Sequence, residues 1–274
     1  MEDSHRIIVA RASSPLIREV AQDGGVVTSI LLHCIRAGYR GAIVCQKDET
    51  WHPVPAIATC AEAVLSAAGT CYTYSPMLKA VTALPSTGKF VMVGTSCHVR
   101  ALRRLQSAAN QAARSIGFVI GLFCSHSFTY DGLITQKIQR ELGIDPCCIK
   151  KMNIKGKLRL ELVTGECVEV PLKELKPFQR QCCSRCPDFT CEEADVSVGG
   201  LGLDGKNFVI PRTQLGMALL RELVESKQLE VWPAEQFPSQ MELLAKVSSN
   251  KRQRARGGDG IECLRQGFVA GPRL

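Results

Sequence analysis

The stretch Val91-Met92-Val93-Gly94-Thr95-Ser96-Cys97 decides the fold. Residues 89–94 form a short apolar run of strand type, and residues 98–113 continue at helical spacing, with Val99, Leu102 and Leu105 on one face. Working outward, residues 116–123 read as the next buried strand, 41–45 as an earlier one and 7–10 as the first. Helices fall between them. Ser14-Pro15 offers an N-cap with proline at the first helical position. Val26, Val27, Ile30, Leu31, Cys34 and Ile35 then repeat at helical spacing up to Gly38. Thr59-Cys60-Ala61-Glu62 and Ser239-Gln240-Met241-Glu242 read as capping boxes, Ser75-Pro76 opens a further helix, and Thr213 caps one running to about Glu225. Strands alternating with helices predict a mixed α/β fold, a helix-covered and largely parallel sheet. From residue 157 the period changes to two: Leu158, Leu160 and Leu162, a turn at Thr164-Gly165, then Val168 and Val170, an added β-hairpin. Residues 195–198 and 207–210 complete the strands. Residues 1–250 are expected to form a single domain, followed by a basic, solvated tail over 251–274.

A cysteine knuckle follows the hairpin: Cys182-Cys183-Ser184-Arg185-Cys186-Pro187-Asp188-Phe189-Thr190-Cys191. The spacing of Cys183 and Cys186 lets two thiolates curl round one metal centre, zinc or iron–sulfur. Two further thiols, Cys97 and Cys124, each end an apolar run, and side chains at neighbouring strand ends can converge. Cys97 lies at a strand-to-helix turn, which favours its thiolate. Cys182 and Cys191 stand in reserve. Cys34, Cys45, Cys147, Cys148 and Cys167 read as small core residues.

The bulk properties bound the rest. The chain has 274 residues, 45% of them hydrophobic, with no apolar run of the roughly 20 residues a spanning helix needs. Residues 1–9 lack a signal-peptide core and the 14 cysteines suit a reducing compartment, so a cytoplasmic protein is expected. A net charge of +8 favours anionic partners, but aromatics are only 5%, with no basic stripe interleaved with rings, so nucleic acid is not expected. Two backbone-rich loops precede helices: Asp23-Gly24-Gly25, and Ala68-Gly69-Thr70-Cys71-Tyr72-Thr73-Tyr74-Ser75-Pro76, with Tyr72 and Tyr74 placed to pack on a flat ring. The glycines of Gly199-Gly200-Leu201-Gly202-Leu203-Asp204-Gly205 permit either a close approach of a cofactor or simple flexibility.

Taken in order, Gln22-Asp23-Gly24-Gly25, residues 68–76, Gly94-Thr95-Ser96-Cys97, Gly121-Leu122-Phe123-Cys124, Lys155-Gly156-Lys157, Cys183-Ser184-Arg185-Cys186-Pro187-Asp188, Ala194-Asp195-Val196-Ser197-Val198-Gly199 and Arg212-Thr213 resemble the beta subunit of coenzyme F420-dependent hydrogenases and dehydrogenases. The resemblance runs from about Ile7 to the helix after Thr213. It implies an oxidoreductase subunit with FAD, one [4Fe–4S] cluster and coenzyme F420 as substrate. Cys97, Cys124, Cys183 and Cys186 would hold the cluster. Asp23, Gly24, Gly25, Gly69, Thr70, Tyr72, Ser75 and Thr95 would bind the flavin. Hydride would pass at the flavin with no protein acid or base required. A separate iron–sulfur subunit, of hydrogenase, dehydrogenase or heterodisulfide-reductase type, would feed the cluster. Cys71 stands where many relatives have lysine, Ser96-Cys97-His98 replaces Pro-Cys-Gln, and Gly205-Lys206 replaces Gly-Trp. Two alternatives stand beside this reading: the same machinery serving another acceptor, and a structural Zn(Cys)4 site in a scaffold.

Overall fold

The computed structural model describes residues 7–85 and 87–257, so the expectations for residues 1–6 and 258–274 lie outside it. The apolar runs become strands and the amphipathic ones helices. In chain order they are β1 (Ile8–Ala12), α1 (Pro15–Val20), α2 (Val26–Arg36), β2 (Gly41–Lys47), β3 (Pro53–Ala58), α3 (Ala61–Ser66), α4 (Leu78–Thr82), β4 (Phe90–Thr95), α5 (Ser96–Ser107), α6 (Gln111–Arg114) and β5 (Ile116–Leu122). After a π-helical segment (Asp131–Glu141) come β6 (Ile149–Ile154), β7 (Lys157–Leu162), β8 (Cys167–Pro171), β9 (Val196–Gly199), β10 (Asn207–Pro211), α7 (Gln214–Glu225), β11 (Leu229–Pro233) and α8 (Pro238–Gly257).

The large sheet has eight strands in the order β11-β1-β10-β9-β5-β4-β2-β3. Its centre is parallel, β2 beside β4, β4 beside β5 and β5 beside β9. Its flanks are antiparallel, so the largely parallel sheet expected from the sequence is mixed. Period-two alternation sorts the side chains onto two buried faces. Val91, Phe118 and Ile120 face α2 and α7 through Val26, Ile30, Leu31, Leu220 and Leu223. Met92, Ile116 and Val119 face α4 and α5 through Val81, Val99 and Leu102. Helices therefore cover both faces, as the alternating pattern required.

The hairpin gains a third strand: β6 and β8 flank β7 antiparallel. This small sheet has its own core, Met152, Leu158, Leu160 and Val170 packed on Leu133, Ile134 and Ile138 of the π-helical segment. Trp51 Nε1 donates to the Ile149 carbonyl at 3.2 Å, and Gln22 Nε2 to that of Met152 at 3.1 Å, so the loops after β2 and α1 clamp the small sheet.

Several local expectations are corrected. The helix placed over 98–113 starts at Ser96 and breaks after Ser107, where Ala109 takes a left-handed φ of 59°; Asn110 then caps α6 by accepting from the Ala113 amide. Neither capping box forms: the N-cap of α3 is Cys60, and α8 already begins at Pro238. The helix at Ser75-Pro76 starts at Leu78. Cys147 and Cys167 are exposed rather than core, while Cys34 is buried as expected. The helix α8 runs through residues 251–257, and Lys251 is buried at 3% exposure, so the solvated tail does not begin there.

Asp195 ties the sheet to α5 and α7. Its carboxylate accepts from the Val119 amide at 2.8 Å, from Arg103 at 3.1 Å and from the Thr213 hydroxyl at 2.9 Å, and Thr213 in turn caps α7. Asp195→Ala is expected to cost about 3 kcal/mol in denaturant unfolding, because it strands an amide and a half-buried guanidinium. Asp204→Ala, on a 98% exposed side chain, should stay within about 0.5 kcal/mol of the parent.

Candidate functional site

Because β2, β4, β5 and β9 run the same way, their carboxyl ends share one edge of the sheet, where ligands of open α/β sheets bind. At this edge β2 ends in Cys45-Gln46-Lys47, β4 passes into Ser96-Cys97, β5 into Phe123-Cys124, and β9 into Gly199-Gly200.

Irregular backbone pairing brings the remaining pieces here. The Phe128 amide donates to the Tyr72 carbonyl at 2.9 Å, and the Tyr74 amide to the Phe128 carbonyl at 3.2 Å. Phe128 also bridges Gln179 antiparallel, and the Arg180 amide donates to the Ser127 carbonyl at 2.9 Å. The loop over 70–76 and the segment leading into the knuckle are thus hung on the loop after β5. A further bond, from the Cys124 amide to the Phe189 carbonyl at 2.9 Å, fastens the far end of the knuckle. The Asp188 carboxylate closes the turn that follows, accepting from the amides of Cys191 at 2.8 Å and Glu192 at 3.0 Å. Its carbonyl accepts from Ser96 Oγ at 3.0 Å and from Lys251 Nζ at 2.9 Å.

All four predicted metal thiols lie in this region. Cys124 is within electrostatic reach of Cys183, Cys97 and Cys186; burial pushes its thiol up to about 12, and the Lys251 ammonium pulls the other way. Burial also raises Cys183, while a bond from the Ser127 amide at 3.4 Å counters it. Cys97 is exposed beside Thr95 Oγ1, at 3.4 Å, and Cys186 faces the Asp188 carbonyl at 3.6 Å. Among the described residues no three His, Cys, Asp or Glu side chains stand close enough to share a single ion. A compact Zn(Cys)4 site crowds its sulfurs to about 3.8 Å from one another. A cubane takes one sulfur at each corner iron, so its ligands stand further apart. Four thiols are the donor set such a cluster would take, and the Lys251 ammonium opposes the burial that holds Cys124 protonated. Of the reserves, Cys182 is exposed and Cys191 is buried.

The predicted flavin residues divide in two. Asp23, Gly24, Gly25, Thr70 and Tyr72 are engaged within the protein. A Cβ on Gly24 would sit 2.6 Å from Asn207 Oδ1 and 2.9 Å from the Ala10 carbonyl, so its glycine serves strand–loop packing; Gly25, at φ 76°, caps α2. Asp23 pairs with Lys155 at 3.4 Å and presses on Gly200; burial raises its pKa. The Thr70 amide is taken by Gln22 Oε1 at 3.2 Å, and the Tyr72 hydroxyl accepts from the Ile154 amide at 3.0 Å. Gly69, Ser75 and Thr95 are less tied up within the protein. Gly69 is exposed at φ 95°. The Ser75 hydroxyl and His98 Nε2 are buried with no hydrogen-bond partner among the described residues, two orphaned polar atoms at the edge where a cofactor is expected. Thr95 Oγ1 holds His98 Nδ1 at 3.1 Å, and burial drops the His98 pKa to about 4, so the ring is neutral at pH 7.

Sequence reasoning missed His98, Arg180 and Lys251. The Arg180 guanidinium lies 3.6 Å from the Tyr74 ring centroid, and that ring lies 5.4 Å from the His98 ring. Only His98 carried a signal, its place beside Cys97.

Thiols, cations and unpaired buried polar atoms thus gather at the carboxyl ends of the parallel strands of a mixed, helix-covered α/β sheet. Likeness to known proteins makes the class specific. Residues 7–82 match the N-terminal part, and residues 87–236 the C-terminal part, of the family described as coenzyme F420 hydrogenase/dehydrogenase, beta subunit. The chain therefore belongs to the coenzyme F420 hydrogenase/dehydrogenase beta-subunit family. It is 34% identical to the coenzyme F420 hydrogenase subunit beta of Methanothermobacter thermautotrophicus, covering 91% of this chain and 92% of that one. It is also 34% identical to the coenzyme F420-dependent sulfite reductase of Methanocaldococcus jannaschii, over 76% of this chain and 36% of that one. A chain of the F420-reducing [NiFe] hydrogenase complex from Methanosarcina barkeri superposes with a TM-score of 0.87 at 30% identity, covering 92% of this chain and 89% of that chain. These relatives are named as oxidoreductases or subunits of them. No helix among the described residues is long and apolar enough to cross a membrane.

Lys251→Met keeps the length of the side chain but leaves the Cys124 and Asp188 carbonyls without their buried donor. A loss of about 2–3 kcal/mol in denaturant unfolding is expected, whereas Arg256→Ala, at the exposed end of α8, should change little.

Proposed function

We propose that this chain passes electrons between a [4Fe–4S] cluster, FAD and coenzyme F420, with Cys97, Cys124, Cys183 and Cys186 as cluster ligands. When bound, the flavin supplies the exchange between single electrons on the cluster side and hydride on the deazaflavin side. The observation that carries the reading is the grouping of Cys124 with the other three thiols beside the orphaned Ser75 hydroxyl and His98 Nε2.

The chain's own residues prepare the site. The ladder through Phe128 holds the 70–76 loop and the knuckle in one register, so ligands from distant segments keep a common geometry. Lys251 and Arg180 add positive charge beside the thiols, which favours their thiolate forms and an anionic cofactor. His98, held neutral by burial and oriented by Thr95, presents Nε2 as a hydrogen-bonding atom, and the Ser75 hydroxyl does the same. Asp23, Gly24, Gly25, Thr70 and Tyr72 shape the flavin loops through their internal contacts. The single catalytic domain extends through the end of α8 rather than stopping at residue 250, and it works in the cytoplasm. A separate iron–sulfur subunit of hydrogenase, dehydrogenase or heterodisulfide-reductase type delivers the electrons.

Protein purified without oxygen should carry flavin and about four iron atoms per chain. It should also reduce coenzyme F420, or oxidise its reduced form, when given a partner or an artificial dye. Cys183→Ser should lose most of the iron while the fold persists by circular dichroism. A purified chain that binds zinc stoichiometrically and no iron would overturn the reading, as would flavin-loaded protein with no F420 turnover from any donor.

A further inference from the structure

We propose that Cys45 and Cys71 are a thiol–disulfide exchange pair that takes a low-molecular-weight disulfide as co-reactant, a redox site separate from the four-thiol group. Cys45 stands on β2 beyond Ile43, the last residue paired with β4, and Cys71 on the loop that follows α3. Both sulfurs turn to the same oxygen, the Gln46 carbonyl, at 3.5 Å for Cys45 and 4.0 Å for Cys71, which puts the two thiols side by side and within electrostatic reach of each other. Both residues are half-buried, so the sulfurs are shielded from bulk oxidants yet within reach of a small ligand.

The surroundings give the two thiols different tasks. The Lys47 ammonium acts on both and sits 4.3 Å from the centre of the Trp51 ring. The neighbouring Cys71 side chain lowers the Cys45 pKa, with the Lys47 charge in support, and the Cys45 side chain raises that of Cys71. Cys34 shows the contrast: burial pushes it up to about 12, which leaves an inert core thiol. Cys45 is therefore the attacking thiol and Cys71 the resolving one.

The chemistry balances without flavin or iron. The Cys45 thiolate attacks one sulfur of the external disulfide, that S–S bond breaks, and the departing thiolate takes up a proton from water. Cys71 gives its proton to water and attacks the Cys45 sulfur of the mixed disulfide, expelling the second thiolate, which is protonated in turn. The protein dithiol is oxidised by two electrons and the external disulfide is reduced to two thiols. The product bond would tether the end of β2 to the loop that carries Ser75, so the oxidation state of the pair would set the freedom of that loop.

The test uses the full chain, purified without oxygen, exposed to oxidised glutathione, quenched in acid, alkylated and digested with trypsin. Cys60 shares the peptide 48–79 with Cys71, so the Cys60→Ser background makes the assignment unique. Expected is a linkage of peptide 41–47 to peptide 48–79 through Cys45 and Cys71, reversed by dithiothreitol. Adding Cys71→Ser should abolish the linkage and leave glutathione on Cys45. Adding Cys45→Ser should leave Cys71 modified at least about tenfold more slowly than Cys45 is in the resolving-thiol variant. Absence of the linkage in the parent under excess glutathione disulfide would overturn the proposal, as would equal labelling of Cys45 and Cys71 in the single-thiol variants. Because the readout is a peptide mass, linked protein without F420 turnover would count against the proposed function alone.

Discussion

One backbone carbonyl, that of Asp188, joins the pieces of the candidate site. It accepts from Ser96 Oγ at the start of α5 and from Lys251 Nζ in α8, while the Cys186 sulfur faces it at 3.6 Å. The adjoining residue, Phe189, takes the Cys124 amide. Segments far apart in the chain therefore meet within two residues of backbone. A carbonyl has two lone pairs, and here both a hydroxyl and an ammonium use them. Burying that ammonium is favourable only because two carbonyls receive it, so helix α8 and the knuckle hold each other in place.

The electrostatics follow from the same packing. Burial alone would keep Cys124 protonated, and the cations drawn in by the fold, Lys251 next to it and Arg180 by Cys183, oppose that effect. His126 feels the reverse. Burial lowers its pKa to about 4, with Arg254 and Lys251 adding to the shift, so the loop after β5 carries no extra positive charge at pH 7. The positive charge at this edge thus comes from Lys251, Arg180 and Arg254, which suits anionic thiolates and phosphate-bearing cofactors.

The small sheet gives the edge its second wall. Lys151 Nζ donates to the Ala21 carbonyl at 3.0 Å, Gln22 bridges Met152 to the Thr70 amide, and Lys155 reaches Asp23. Three of the residues read from the sequence as flavin contacts, Asp23, Thr70 and Tyr72, are held in this clamp. Their part is to position the loops; the Gly69 backbone stays exposed, while Ser75 and His98 lie buried.

The sequence by itself determined the alternation of strands and helices from β1 to β5, the Thr213 cap, the hairpin around Thr164-Gly165 and the four thiols that the fold groups at one edge. Those signals are local: apolar period, cap chemistry and cysteine spacing are written within a few residues. It did not disclose β3, β6, β11 or the π-helical segment. Pro53 and Pro55 mask β3 as a breaker-rich loop, and β11 exists only because β1 offers it an antiparallel edge. The Lys251 run shows the limit most clearly. In one dimension it reads as a charged tail, and only the folded chain supplies the two carbonyls that make burying its first lysine favourable. Tertiary structure likewise decided that Cys45 and Cys71 meet, because contact between a strand end and a distant loop is set by sheet order and packing, and neither is encoded by spacing along the chain.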